Sequence, residues 1–440
     1  NSITSTAQPL VIIDGVEQDM QLSRPSLHDG QAFNMLANMS PEDIEKVTVL
    51  KNATALYGAR GANGVIIIET KRGHSMATRI DANISVGFTT IPKLPTMMDA
   101  GQYRIYATEL LGTVPDMSLK ENQDIQFNFL NDDPTNYYYQ MYHNNTDWSK
   151  EAYRNAMTQN YNINVQGGDD VGMYNLSVGY LKALSTAKSN DFDRLNVRFN
   201  TDIKILWNLS TKFDMSLSRV NNNVFDDGIP ANLAAGAITS PTFLALIKSP
   251  LLNPYQYNQN IGGFSNLLSN YDDLYGQLGD EYSLANPSAI LANASGDNKN
   301  KAENTYFNVH VEPTFTFSDH LKLTTLFSYI LNRNSQRYYR PYNGVPSFEI
   351  PNLGTVTSKT GSLFAKETSV LSNTHLDWAN KFGKHDIAAT AGFRYTYFSF
   401  DSSDMRTQFT SATNDKNPPL NLTGYQDITG ANDVWKNMQM

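Results

Sequence analysis

The sequence predicts an all-β fold in which an antiparallel transmembrane β-barrel follows a small N-terminal α+β domain. Three observations carry this prediction. Long stretches after Gly73 alternate apolar and polar residues, short and long connections alternate between these stretches, and aromatic residues make up 11% of the chain. Alternation with a period of two is typical of strands, because successive side chains point to opposite faces of a sheet.

The first 73 residues predict the small domain. The apolar run 10–13 precedes Asp14-Gly15, a pair that favours a tight turn because glycine accepts a positive φ. Ser40-Pro41 followed by two acids is typical of a helix start. A strand over 44–51 follows directly, and we expect Val47 and Val49 in it to be buried.

A glycine-rich segment then leads into a strand over 65–70. A phosphate-binding loop needs Gly-Lys-Ser/Thr after its glycines, and a dinucleotide site needs its glycines to open a helix. Here Val65-Ile66 follows Gly58, Gly61 and Gly64. We therefore expect these glycines to form a tight turn rather than a phosphate site.

Nine longer strands are expected after Gly73. In one of them Leu195, Val197 and Phe199 share a face, whereas Arg194 and Arg198 lie on the other. The nine strands cover about residues 80–90, 160–168, 172–182, 193–204, 207–219, 304–317, 320–331, 370–382 and 386–400.

The connections favour an outer-membrane barrel over a soluble sandwich. Short connections are expected at 169–171, 205–206, 318–319 and 383–385, and long ones at 91–159, 183–192, 220–303 and 332–369. Outer-membrane barrels combine short periplasmic turns with long extracellular loops. A lipid-facing Arg or Lys at mid-bilayer costs about 2–4 kcal/mol, so Arg194, Arg198 and Lys204 are expected to face a polar lumen.

The predicted strand count indicates an incomplete barrel. Bacterial single-chain barrels have even strand numbers, and the large barrels whose lumen is filled by another domain have about 22 strands. We therefore expect residues 74–440 to form the N-terminal part of a barrel, about 9 strands of it, within a longer protein.

Composition excludes several other classes. The chain has no cysteine, which excludes thiol catalysis, disulfides and thiolate metal sites. No run of 18 apolar residues is present, so a transmembrane helix is not expected. The net charge of -9 argues against nucleic acid as a partner. No His-Glu-x-x-His or Gly-x-Ser-x-Gly motif occurs, so the protein is not expected to be an enzyme.

Several motifs together resemble one known family. They are residues 9–16, the segment 40–51, the glycine-rich segment around Tyr57, and Thr146-Asp147-Trp148 with the strands after it. Together they are similar to the SusC/RagA branch of TonB-dependent outer-membrane transporters. The resemblance makes residues 1–73 the C-terminal part of a plug domain inside the barrel lumen. Its structural and gating motif would be Asp14, Gly15, Tyr57, Gly58, Arg60, Gly61, Asn63 and Gly64.

The resemblance also implies a function, namely the import of an oligosaccharide (glycan) or a peptide across the outer membrane of a Gram-negative bacterium. Expected partners are TonB with its inner-membrane energising complex, a SusD-like surface lipoprotein, and outer-membrane lipid. The segment that contacts TonB lies before residue 1 in the family. The sequence leaves open whether the substrate is a glycan or a peptide.

Tyrosine-rich stretches in the long loops are candidate substrate contacts, because tyrosine offers a flat apolar face and a hydroxyl group. Loop packing is the alternative interpretation. The acidic residues of one loop offer oxygen ligands to Ca²⁺, without EF-hand spacing, and a solvated acidic loop is the alternative. No other cofactor is expected. The tyrosines are Tyr137, Tyr138, Tyr139, Tyr271, Tyr275, Tyr338 and Tyr339, and the acids are Asp272, Asp273, Asp280 and Glu281.

Two other functional classes remain to be weighed. A secreted or surface β-rich binding module, or adhesin, would explain the strands and aromatic residues but not residues 9–73. A β-sandwich glycosidase needs two convergent carboxylates, and the sequence favours no pair.

Overall fold

The computed structural model contains one large antiparallel sheet and a small N-terminal mixed sheet packed against it. It describes residues 8–18, 26–28, 35–51, 53–113, 115, 128–136, 139–225, 238–269, 284–293, 300–340, 344–345, 348–350, 354–356, 358–409 and 424–439.

The large sheet has ten strands in sequential order along the chain, apart from the short hairpins in its loops. Every neighbouring pair is antiparallel. The strands are β5 (Met76–Thr89), β6 (Ala156–Gly168), β7 (Gly172–Leu184), β8 (Asp191–Leu206), β9 (Leu209–Val224), β12 (Asn300–Ser318), β13 (Leu321–Arg340), β16 (Ser358–Phe382), β17 (His385–Phe409) and β18 (Gly424–Gln439).

Short and long connections alternate as the sequence predicts. The short turns are 169–171, 207–208, 319–320 and 383–384, and they lie at one end of the sheet. The strand ends joined by the longer connections lie at the other end, and these connections cover residues 90–155, 185–190, 225–299, 341–357 and 410–423. The predicted meander with all long loops at one end is therefore confirmed, with turn positions shifted by one or two residues.

Each long strand has one polar and one apolar face. On β8 the side chains of Arg194, Asn196, Arg198 and Asn200 are buried against the N-terminal domain, whereas the exposed Leu195 points away from it. The prediction that Arg194 and Arg198 face inward is thus confirmed. Lys204 follows the same alternation but is exposed near the short turn.

Two predictions about the large sheet are wrong. A tenth strand, β18, follows the predicted nine, and the sequence misses it because its polar residues show no clear alternation. The loop predicted at 332–369 is shorter, at 341–357, because β13 continues to Arg340 and β16 begins at Ser358. Backbone pairing continues there although polar residues occupy both faces, so the hydrophobic period ends before the strand does.

The N-terminal sheet has the order β2-β1-β4-β3, with β1 (Leu10–Ile13) parallel to β4 (Val65–Thr70) and antiparallel to β2 (Val16–Gln18). Its two faces bury small apolar clusters around Val65 and Val11. The strand β3 (Ile44–Leu50) lies at the edge. Helix α1 (Thr54–Tyr57) and single 3-10 turns at Met35–Asn38, Pro41–Asp43 and Gly58–Gly61 connect the strands.

Two expectations for this domain are wrong. Val47 and Val49 are 52% and 62% exposed, because an edge strand has a neighbour on one side only. Ser40 does precede a turn that starts with Pro41, but the turn is a single 3-10 turn and the Ser40 side chain makes no capping hydrogen bond.

The long connections form a helical layer at their end of the sheet. It contains α2 (Ala100–Gly112), α3 (Tyr139–Tyr142), α4 (Trp148–Ala152), α5 (Pro241–Ile247), α6 (Pro287–Asn293), 3-10 turns at Asn128–Leu130 and Gln259–Ile261, and the hairpins β10–β11 (Tyr255–Asn258, Gly263–Leu268) and β14–β15 (Phe348–Ile350, Gly354–Val356). Over the described residues, none of the helices has both the length and the apolar character to cross a membrane.

One lysine links three parts of this layer. The Lys248 amine donates a hydrogen bond to the Leu284 carbonyl oxygen at 2.8 Å and lies 5.5 Å from the centre of the Trp148 ring. Trp148 itself is buried with Tyr142 and Leu252. Burial lowers the pKa of Lys248 to about 7. The long connections are therefore folded around small apolar cores of their own.

Candidate functional site

The candidate site is the polar contact between the N-terminal sheet and the inward face of the large sheet. It begins at the turn between β1 and β2, where Asp14 and Gly15 have φ of 48° and 82°. The Asp14 carboxylate accepts hydrogen bonds from the Thr70 amide at 2.9 Å and its hydroxyl at 2.8 Å. On its other side Arg198 of β8 donates to it at 3.2 Å. The predicted tight turn therefore places a buried carboxylate opposite a buried arginine of the wall.

A second ion-pair cluster holds the linker that follows β4. Arg72 donates to Asp202 of β8 at 2.7 Å and also to Asp214 of β9, which in turn contacts His310 of β12. Burial opposes the charge on Arg72, but attraction to Asp214 and Asp202 outweighs it and raises the pKa of the guanidinium. The cluster joins the end of the N-terminal sheet to three strands of the wall.

The backbone of residues 70–73 is fixed as well, and we call these residues the anchor segment. The Lys71 carbonyl accepts hydrogen bonds from Asn175 at 3.0 Å and from Asn200 at 2.8 Å. A Cβ atom on Gly73 would lie 2.4 Å from the Tyr174 carbonyl oxygen. Only glycine allows this close approach of the two backbones.

Further contacts surround these clusters. Glu17 pairs with Arg60 of its own domain and with Arg394 of β17 at 2.9 Å. The Asp43 carboxylate accepts a hydrogen bond from Ser177 of β7 at 2.6 Å. At the other edge, the Tyr306 hydroxyl of β12 donates to the Gln18 side chain at 3.0 Å. The N-terminal domain is thus held by charged and polar groups from strands β7 to β17.

The glycines of the predicted motif occupy tight turns. Gly58 and Gly64 have φ of 59° and 93°, and a Cβ atom on Gly61 would lie 2.7 Å from the Ala53 carbonyl oxygen. Asn63 lies exposed in the same turn, and Tyr57 packs on the cluster around Val65. Of the predicted motif, Asp14 contacts the wall directly and Arg60 does so through Glu17.

The candidate tyrosines that the structure describes have protein partners. Tyr139 stacks on His143 with ring centres 3.6 Å apart, Tyr338 meets His28 edge-on at 6.0 Å, and Tyr339 is buried. Their contact with substrate stays a prediction. Tyr137, Tyr138, Tyr271 and Tyr275 lie outside the described residues, as do the calcium candidates Asp272, Asp273, Asp280 and Glu281. No group of three potential metal ligands occurs in the part of the chain that the structure describes.

Sequence reasoning did not single out Glu17, Arg72, Asp202, Asp214 and His310. A signal for most of them was present, because Asp202, Asp214 and His310 lie on the polar faces of predicted strands. Charged residues in mid-strand positions of a membrane wall need partners inside the lumen. Their partners lie up to 142 residues away in the chain, so the sequence alone does not show the pairing.

Comparison with known proteins agrees with this architecture. The model of the TonB-dependent receptor plug domain family matches residues 3–65. TonB-dependent receptor SusC of Bacteroides thetaiotaomicron is 29% identical over 281 residues, which are 60% of this chain and 24% of that receptor. TonB-dependent receptor P3 of Formosa agariphila is 23% identical over 398 residues, 90% of this chain and 33% of that receptor. The solved structure of the RagAB peptide transporter superposes with a TM-score of 0.69 at 21% identity, covering 99% of this chain and 47% of that one.

The N-terminal domain matches a plug domain and the large sheet has the architecture of a barrel wall, the combination that TonB-dependent receptors contain. The chain is similar to the SusC/RagA type of these receptors. It spans 24% and 33% of the two receptors named above.

Proposed function

We propose that this chain is the plug and part of the barrel of an importer that carries an oligosaccharide or a peptide across the outer membrane. In this proposal TonB, energised by the inner-membrane complex, moves the plug, and a SusD-like surface lipoprotein helps to capture substrate at the long-loop end. The observation that carries the proposal is a plug domain held against the inward face of a membrane-type β-wall by ion pairs.

The chemistry of that contact suits a domain that must move. Exposing an apolar interface to water costs roughly 25 cal/mol of free energy for each Å² of apolar surface. Hydrogen bonds between charged groups are exchanged for bonds to water, so the net contribution of each is only about 1.5–3 kcal/mol. The pairs at Asp14, Glu17 and Arg72 can therefore hold the closed plug, yet be replaced by water as it moves.

A reversible cross-link tests the role of plug movement. Asp43 of the plug and Ser177 of the wall are in hydrogen-bond contact at 2.6 Å, and the chain has no cysteine of its own. We expect D43C/S177C in the full-length receptor to lose substrate uptake when the pair is oxidised or bridged by a short thiol cross-linker. Reduction of the disulfide should restore uptake.

The matched control joins two strands of the wall instead. The hydroxyl groups of Thr314 and Thr324 on β12 and β13 lie 3.3 Å apart, so T314C/T324C adds the same chemistry without tying down the plug. Uptake should survive oxidation of this pair. If the plug cross-link forms completely and uptake continues at the original rate, plug movement is not part of transport and the proposal is wrong.

The adhesin alternative makes a different prediction. An adhesin has no use for a plug held inside its wall, and it would stay in aqueous buffer or at the cell surface without integral insertion. If the full-length protein partitions into aqueous buffer without detergent, both the importer and the outer-membrane location are excluded. Retention in the detergent phase with heat-modifiable gel mobility would exclude a soluble adhesin.

A further inference from the structure

Five basic residues cluster on the outward face of four neighbouring strands. On these strands the outward side chains are those that alternate with the plug-facing ones. Arg219 of β9, Arg333 of β13 and Lys366 of β16 lie on one row of the sheet, connected by the registers Arg219↔Thr305, Thr305↔Arg333 and Arg333↔Lys366. Lys301 of β12 and Arg337 of β13 face each other four residues farther towards the long loops. We call these five residues the basic patch.

Along the strands, the basic patch lies where the uncharged outward surface ends. We call this surface, between the short turns and the row of Arg219 and Arg333, the apolar band. Outward residues between the short turns and this row carry no charge on β9, β12, β13 and β16, and they include Phe213, Val311 and Phe327. Ten residues separate Leu209 from Arg219 on β9. At about 3.3 Å per residue and a tilt of about 40° this distance is about 25 Å, the height of the lipid-facing band of such barrels. The basic patch therefore lies at the headgroup level on the long-loop side.

Two of the five basic residues in the patch have an ion-pair partner among the described residues, and three do not. Glu303 pairs with Arg219 at 3.2 Å and with Lys301 at 3.0 Å. Arg333, Arg337 and Lys366 are exposed and make no ion pair with any residue that the structure describes. Asp401 is the register neighbour of Lys366, but its carboxylate accepts a hydrogen bond from Asn432.

Arg333 and Lys366 lie directly opposite each other, and the carboxylate in their row, Asp401, is on the side of Lys366 away from Arg333. Side chains directly opposite on neighbouring strands have Cβ atoms about 4.5–5.5 Å apart, and like charges in such a pair destabilise the sheet. An anion between them removes the repulsion. Arginine is suited to phosphate because its planar guanidinium makes two parallel hydrogen bonds.

We propose that the basic patch binds the phosphate of a lipid headgroup in the outer leaflet of the membrane. The apolar side chains below the patch, such as Leu331 and Phe307, provide a surface for the acyl chains of the same lipid. The inference rests on the outer-membrane location proposed above, but not on transport. It assigns a lipid site to Arg333, Arg337 and Lys366, with Arg219 and Lys301 at its border.

The test is native mass spectrometry of the full-length receptor in detergent. The added probes are a monophosphorylated lipid A, the same lipid A without its phosphate, and inorganic phosphate. We expect retention of the phosphorylated lipid, and about 100-fold weaker binding by R333Q/R337Q/K366Q. Each basic residue near an anionic lipid surface contributes about fivefold to binding. R333K/R337K keeps the charge but loses the bidentate geometry, so it should bind with intermediate affinity.

A charge-matched control distinguishes lipid binding at the basic patch from general electrostatic attraction of the lipid to the protein. K93Q/K150Q/K384Q removes three exposed lysines outside the patch, and its lipid binding should equal that of the parent protein. Equal binding of both lipids, equal loss in both triple variants, or unchanged binding by R333Q/R337Q/K366Q would each overturn the lipid site. So would binding of inorganic phosphate in preference to the lipid. Substrate uptake by the same receptor tests the import proposal independently of lipid binding. The lipid site can therefore be disproved while import stands, and import can be disproved while the lipid site stands.

Discussion

Arg72→Met is the substitution that most directly tests how the plug is held. It removes the cation that the anchor segment presents to Asp202 and Asp214, while an unbranched apolar chain still fills the space. Asp214 would keep His310 as its partner among the described residues. The substitution therefore breaks the ion pairs between the plug linker and the wall without emptying the space between them.

The expected cost follows from burial. The Asp214 side chain is 2% exposed, and removing one partner of a buried ion pair costs about 3–5 kcal/mol. The Arg72 and Asp202 side chains are 25% and 27% exposed, so solvent screens part of the interaction, and His310 compensates for another part. We therefore expect the free energy of plug opening to fall by about 2–3 kcal/mol.

A single buried cysteine measures this opening. Val16 of β2 is 2% exposed and packs against Tyr306 and Leu326 of the wall, and V16C would be the only cysteine in the chain. Under conditions where the plug recloses faster than the thiol is alkylated, the labelling rate reports the opening equilibrium. A decrease of 2–3 kcal/mol corresponds to roughly 30- to 150-fold faster labelling of V16C/R72M than of V16C alone.

The control is an exposed ion pair of the same domain. Lys46 and Glu69 are 3.8 Å apart with side chains 62% and 53% exposed, so V16C/K46M should label within about threefold of the parent rate. If V16C/R72M also labels within threefold of the parent rate, the Arg72 cluster does not hold the plug and the reasoning from burial is refuted.

Three further outcomes are expected. G73A should destabilise the plug linker by about 1–3 kcal/mol in the same labelling assay, because its Cβ atom meets the Tyr174 backbone. V311R places a cation in the middle of the outward apolar band and should cost about 2–4 kcal/mol, seen as a smaller heat-modifiable fraction. The Lys248 cluster should become more stable from pH 7 towards pH 10, by about 1 kcal/mol per pH unit, in hydrogen exchange of α5 corrected for intrinsic rates.

The sign of the pH effect follows from proton binding. The pKa of Lys248 is about 7 in the folded layer and near 10.4 in an unfolded chain, so between these values the unfolded state binds more protons. Stability therefore rises with pH across that window. K248M should remove the dependence, and stability that fell with rising pH would contradict the assignment.

Two substitutions serve as controls for the others. A Cβ atom on Gly172 would meet nothing within 4 Å, so G172A should label like the parent. N221R lies on the outward face of β9 at the expected membrane interface, opposite the carboxylates of Glu303 and Asp193, and should cost no more than about 1 kcal/mol. Equal costs for N221R and V311R would mean that the outward band is not the lipid-facing surface.

Much of the wall could be predicted from the sequence because its strands obey one local rule. Lipid outside and a polar lumen inside force alternation, and this placed Arg194 and Arg198 inward correctly. The rule failed where the environment changes. At the long-loop end of β13 polar residues occupy both faces of the strand, so its continuation to Arg340 gave no periodic signal, and the residues of β18 show no clear alternation.

The candidate site was predictable only in part. The Asp14-Gly15 turn followed from residue chemistry, and the close backbone contact at Gly61 agrees with a structural role for that glycine. The buried state of Val47 and Val49 was predicted wrongly, because strand order and not composition decides which strand lies at an edge. The partners of Arg72 lie on the polar faces of predicted strands, but no local signal pairs them with Arg72.

By itself, the sequence determined the alternation of faces, the end of the sheet that carries the long loops, and the tight turns of the plug. These properties depend on residues close together in the chain. Only the tertiary structure decided that Asp14 meets Arg198 across 184 residues and that Arg72 meets Asp214 across 142. Such pairs depend on how the plug is seated against the wall. That seating is fixed by buried ion pairs, hydrogen bonds and the apolar contact of Val16 with the wall, and no periodic pattern in the sequence records these pairings.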